Sequence, residues 1–171
     1  VASLFLVVFS IGVSIGSVSV NALLKGSVSA KWSAPSVIGM GVFVVLLYLI
    51  CRQWADHPEA GLMDVARFLA EPLAIPLLLS LLGIAVGGGM FVVPLYAFLT
   101  TFVDKAQTAR TIAANNIVNS GAMVIGSLVA MALSYIGLPL EEQVLLSAVM
   151  CLVSALLAHQ LYTSECKAKA Q

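Results

Sequence analysis

Long apolar runs alternate with short polar clusters along this chain. Five stretches come near the ~20 residues that a helix needs to cross a bilayer: residues 1–24, 35–52, 72–102, 111–136 and 143–162. No Asp, Glu, Lys or Arg lies well inside any of them. Trp32, Trp54, Phe102, Tyr135 and Tyr162 mark several of the ends, where an interfacial aromatic belt is expected. The third stretch is too long for one straight crossing of a ~30 Å hydrocarbon core at ~1.5 Å per residue, so it must tilt, bend or protrude. Between the second and third, Leu62, Val65, Ala66 and Leu69 recur at helical spacing beside Asp64 and Arg67. This pattern predicts a short helix lying in the interface.

Composition turns these runs into a fold class. The chain has 171 residues, 61% of them hydrophobic and 9% charged; ordinary soluble domains run at roughly 45–50% and ~25%. A soluble fold of this size cannot hide so much apolar surface. The expectation is an all-α membrane protein with five transmembrane helices and the lipid bilayer as its surroundings. Net charge is zero, so no field attracts nucleic acid and no such partner is expected. Cys51, Cys151 and Cys166 have no metal-like spacing, and their odd number argues against a disulfide framework. They read as small apolar residues, and no cofactor is expected. Val1 opens an apolar run with no basic segment before it. That is not the pattern of a signal peptide and reads as the interior of a longer chain.

Loop charges give a direction. Lys25, Lys31, Lys105, Arg110, Lys167 and Lys169 follow the first, third and fifth stretches. The other side holds Arg52 and Arg67 with Asp56, His57, Glu59, Asp64, Glu71, Glu141 and Glu142. By the positive-inside rule the first set is cytoplasmic, and so is the C-terminus. Glu141 and Glu142 are expected in the first turn of the last helix, where they complement its dipole.

Polar groups inside the spans are the candidate chemistry. Ser10, Ser14, Ser17 and Asn21 share one helical face, and Gly12 and Gly16 beside them form a G-x-x-x-G that lets another helix approach. Asn115, Asn116 and Asn119 fall within five residues of the fourth span. Such amides are costly unless they face protein or a wet cavity, so they either tie helices together or line a polar path. "GIAVGGGMFVVPLYAFL", residues 83–99, gathers Gly87, Gly88, Gly89 and Pro94 near mid-membrane. Each Gly costs a helix ~1 kcal/mol relative to Ala and Pro costs ~3. The expectation is a hinge, a static kink or a device for close helix contact. "VSIGSVSVNAL" and "MVIGSLVAMAL" share I-G-S in oppositely directed spans, a faint echo of an inverted-topology repeat.

"GGGMFVVPLYAFL", followed by a short basic loop and "ARTIAANNIVNSGAMV", resembles the C-terminal half of the lysophospholipid transporter family of the major facilitator superfamily. "FSIGVSIGSVSVNALLKGSVSAKW" resembles the helix-eight region of the same family. The resemblance implies that the five spans correspond to helices eight to twelve of a twelve-helix transporter, with residues 1–171 a partial C-terminal bundle. It also implies the missing N-terminal half of the transporter as a partner. The implied cargo is a lysophospholipid such as lysophosphatidylethanolamine, moved across the bacterial inner membrane to supply re-acylation. Asn116 matches a family asparagine, whereas Asn119 stands where the resemblance implies an acidic residue, so the family's charge there is absent. The pattern around residues 109–120 looks more like transporter domains fused to an acyltransferase and an acyl-carrier-protein synthetase.

On this reading Asn115, Asn116, Asn119, Ser10, Ser14, Ser17, Asn21 and Tyr96 are expected along the substrate path, with Lys105 and Arg110 at the inner mouth. The alternatives are a transporter of another small molecule and the membrane domain of a bifunctional acyltransferase. Catalysis within this chain is not expected. His57 and His159 lie at span ends on opposite sides of the membrane, and the fifth residue after His57 is Leu62, not the Asp of H-x-x-x-x-D.

Overall fold

A computed structural model describes residues 1–25, 29–55, 64–101 and 103–169. The chain forms α1 (Ala2–Leu24), a 3-10 turn (Ala30–Trp32), α2 (Ser33–Ala55), α3 (Val65–Leu69), α4 (Ala74–Thr101), α5 (Thr108–Tyr135) and α6 (Leu140–Lys169). Five of these helices are long and apolar enough to cross a membrane. Leu6, Val18, Ile117 and Leu156 are each about 70% exposed, too much bare aliphatic surface for a protein surrounded by water. The multi-pass membrane fold follows from these two facts.

The ends shift slightly from the expected boundaries. α6 shows the largest change, running on through Lys169. No Gly or Pro stops it, and the hydroxyls of Thr163 and Ser164 donate to the carbonyl of Gln160, 2.8 and 3.0 Å away. Glu141 and Glu142 do occupy its first turn, and the Tyr48 hydroxyl of α2 lies 3.4 Å from Glu142 Oε1.

α4 is the central element, with α1 on one side and α2 on the other, and α2 in turn meets α6. Glycine makes both α4 contacts possible. A Cβ on Gly16 would land on the carbonyl oxygen of Val86, and one on Gly89 would sit 2.5 Å from the carbonyl oxygen of Val13. On the opposite face, a Cβ on Gly87 would lie 2.9 Å from Met40 Cβ and 3.1 Å from the Ser36 oxygen. Gly88, between them, would meet only Met40 Sδ at 3.9 Å. Two of the three adjacent glycines are therefore points of close backbone approach. α4 continues as one helix through Gly87–Gly89 and Pro94. Because Pro94 has no N–H, the Met90 carbonyl lacks its usual helical donor.

Between α2 and α6 the core is built from Val37, Val44, Ala148, Cys151 and Ala155, flanked by Met40 and Phe91. Cys151 is a small buried residue there, and no cysteine is bonded to another. At the far end of the bundle, Asp64 caps α3 by accepting from the Arg67 N–H at 2.8 Å. The expected apolar residues Val65 and Leu69 are 40% and 46% exposed, and Phe68 is the buried one. Its ring stacks on Trp54 at 5.6 Å and meets Phe5 edge-on at 5.5 Å, tying α1, α2 and α3 together. Leu62, Asp56, His57, Glu59 and Phe102 lie outside the described residues.

Replacing Gly16 with Ile should destabilise the α1–α4 contact by about 1–3 kcal/mol, the usual cost of overpacking. Gly88→Ala should be neutral or stabilising by up to ~1 kcal/mol, because it removes backbone freedom without a clash. Denaturant titration of the detergent-solubilised protein, followed by circular dichroism, compares the two.

Candidate functional site

The serines of the α1 stripe need nothing beyond their own helix. Ser10, Ser14 and Ser17 donate to the carbonyls of Leu6, Ser10 and Val13, each at 2.8 Å. This back-bonding satisfies a hydroxyl locally. The stripe with Asn21 lies on a different face from Gly12 and Gly16, and Ser10, Ser14 and Asn21 are exposed.

The asparagines of α5 are placed differently. Asn115 Nδ2 donates to the Tyr96 hydroxyl at 3.1 Å, joining α5 to α4. Asn116 and Asn119 are exposed, and no residue of α5 is buried. An asparagine amide has two donors and an acceptor and cannot fold them all back onto one helix. α5 touches α4 and α6 only slightly. The structure thus brings Asn115 to Tyr96, but it does not bring the α1 stripe against the asparagine cluster. Lys105 and Arg110 are exposed at the start of α5, at the same end of the bundle as Lys25, Lys31 and Lys167.

One feature escapes a reading of polar motifs. A groove of about 610 Å³ runs between α2 and α4, with Trp32, Ser36, Gly39 and Phe43 on one wall and Leu79 and Val86 on the other. Its one side-chain hydroxyl among these, Ser36, donates to the Trp32 carbonyl. The sequence signal for the groove is the four-residue spacing of Gly83 and Gly87 opposite Gly39 and Phe43. Nothing marks it until the two helices are known to be neighbours. Among the described residues no group of three or more His, Cys, Asp or Glu side chains is placed to hold a metal ion.

Comparison with known proteins finds no matching family model, no matching curated protein and no matching solved structure.

Asn115→Ala and Tyr96→Phe should each loosen α5. In a double-mutant cycle the pair should show a coupling of about 0.6 kcal/mol, the mean for hydrogen bonds between membrane helices. Hydrogen exchange at the amides of residues 108–116 should rise to the same level in either single variant and in the double variant.

Proposed function

We propose that this chain is part of a membrane carrier that moves lysophospholipid, of the lysophosphatidylethanolamine type, across the bacterial inner membrane and supplies it for re-acylation. The observation that carries this reading is α5. It is a membrane-length helix with nothing buried, and it bears Asn116 and Asn119 in the open. Exposed amides in hydrocarbon are costly, so that face needs either further protein or a wet path. A lysolipid has one acyl chain and a polar head, and it needs an apolar wall with a modest uncharged lining. The exposed Asn116 and Asn119, with Ser10, Ser14 and Asn21 on α1, are of that character. The resemblance of residues 87–124 to lysophospholipid transporters selects this cargo among those that such a lining suits.

The basic end of the bundle faces the cytoplasm on the positive-inside argument. Lys105 and Arg110 then stand where an arriving phosphate leaves, and they offer charge-assisted hydrogen bonds to it. The missing donor at Met90 would let α4 bend beside Pro94, beyond the clamped glycines, if the helix moves during the cycle.

The test is uptake of radiolabelled lysophosphatidylethanolamine by bacterial spheroplasts expressing the chain with whatever flanking sequence its gene encodes. Asn116→Ala should lower uptake about three- to tenfold, as loss of a hydrogen bond to cargo would, at unchanged membrane abundance. Uptake no greater than in cells without the protein would refute the carrier reading. Unaltered uptake in the variant would instead assign Asn116 to holding helices together.

A further inference from the structure

We infer that the α2–α4 groove is a resident lipid site, holding one acyl chain of an anionic phospholipid drawn from the leaflet on the lysine-rich side. This inference stands apart from the transport reading, because it concerns a lipid that stays. Three observations point to that occupant.

The groove has the right chemistry. Its lining is almost wholly apolar, and the Ser36 hydroxyl already has its acceptor in the Trp32 carbonyl. Below the Trp32 indole at its mouth, the trough has no side-chain donor left over for a polar ligand. Its volume of about 610 Å³ falls within the ~300–1,000 Å³ of sites that hold small ligands.

The groove also has the right length and direction. α2 and α4 run antiparallel here, since Gly83 lies against Phe43 and Gly87 against Ser36 and Met40. The trough therefore starts at Trp32 and Met90 and ends at Phe43 and Leu79. From Trp32 to Phe43 the chain rises roughly 16 Å at ~1.5 Å per residue. That is about half of a ~30 Å hydrocarbon core, the depth of one leaflet.

Finally, the mouth carries the right charge. Lys31 Nζ sits 6.0 Å from the centre of the Trp32 ring, at the limit of a cation–π contact. The ammonium is thereby held where a lipid phosphate at the head of the trough would lie. α6 also packs against the same 3-10 turn. An indole beside an ammonium at the membrane boundary suits an anionic headgroup. The groove is open rather than collapsed because Gly39 presents no side chain to it: a Cβ there would have nothing within 4 Å. The same fact makes the site testable, since position 39 has room for a side chain to begin.

The experiment uses the purified chain carrying Trp54→Phe, which keeps a ring against Phe68 and leaves Trp32 as its one tryptophan. The protein is placed in phosphatidylcholine nanodiscs containing equal mole fractions of either bromine-chain phosphatidylglycerol or bromine-chain phosphatidylcholine. Bromine in the chain quenches Trp32 when that chain occupies the groove. The expected result is a preference of about fivefold for phosphatidylglycerol, the effect of roughly one basic residue at an anionic lipid surface. Lys31→Gln should abolish the preference, and Gly39→Leu should abolish most of the quenching. Gly126→Leu on α5, where a Cβ also has nothing within 4 Å, should leave both unchanged. Equal quenching by the two lipids would overturn the proposal, as would full quenching in a folded Gly39→Leu protein. If Gly39→Leu does not fold, the Lys31→Gln comparison alone decides, since Lys31 is exposed and its loss leaves the helices intact.

Discussion

Two helices immersed in hydrocarbon gain little by hiding apolar side chains from each other, because lipid tails are as apolar as the helices. What remains is how closely the backbones approach and how many atoms then touch. α4 meets this constraint twice. Gly12, Gly16 and Gly89 bring it against α1, and Gly83 and Gly87 bring it against α2. With α4 held on both sides, the opposite face of α2 is free to receive Ala148, Cys151 and Ala155 of α6. The groove arises from the same device used without a partner. At Gly39 a side chain is missing and no neighbouring helix moves in to fill the gap.

Polar side chains divide into those that are cheap in such surroundings and those that are not. A serine can turn its hydroxyl onto the carbonyl one turn back, as Ser10, Ser14 and Ser17 do. The three α1 serines therefore make little demand on whatever faces them. An asparagine has more groups than its own helix can satisfy, and one of the three in α5 has found the Tyr96 hydroxyl. Asn116 and Asn119 remain exposed on α5, which is also the long helix with nothing buried.

The number and approximate ends of the membrane helices were legible from run length alone, because a bilayer imposes a minimum length that few other constraints mimic. The G-x-x-x-G of Gly12 and Gly16 was legible as a contact face for a similar reason. The anchor of α3 was not: Val65 and Leu69 fit the expected spacing, yet Phe68 is the residue that docks, because the receiving rings of Phe5 and Trp54 come from distant parts of the chain. The reach of α6 beyond residue 162 was also hidden, since its last turns are polar and continue for want of a stop. The triple glycine was half legible. Its cost in helix propensity flagged the site, but only the positions of α1 and α2 distinguish Gly87 and Gly89 from Gly88. Tyr96 and Asn115 stood out as polar residues, whereas their meeting depends on how α4 and α5 emerge from the connecting loop.

The contact between α2 and α6 bears on how the polypeptide is made. Ribosomes deliver α5 to the membrane before α6, yet the core closes α6 against α2 and leaves α5 to the side. α5 must therefore wait in the bilayer with its amides uncovered while the last segment emerges, passes it and docks. Arrival of the last segment completes the core without covering α5, so the order of synthesis and the order of packing part company at this helix.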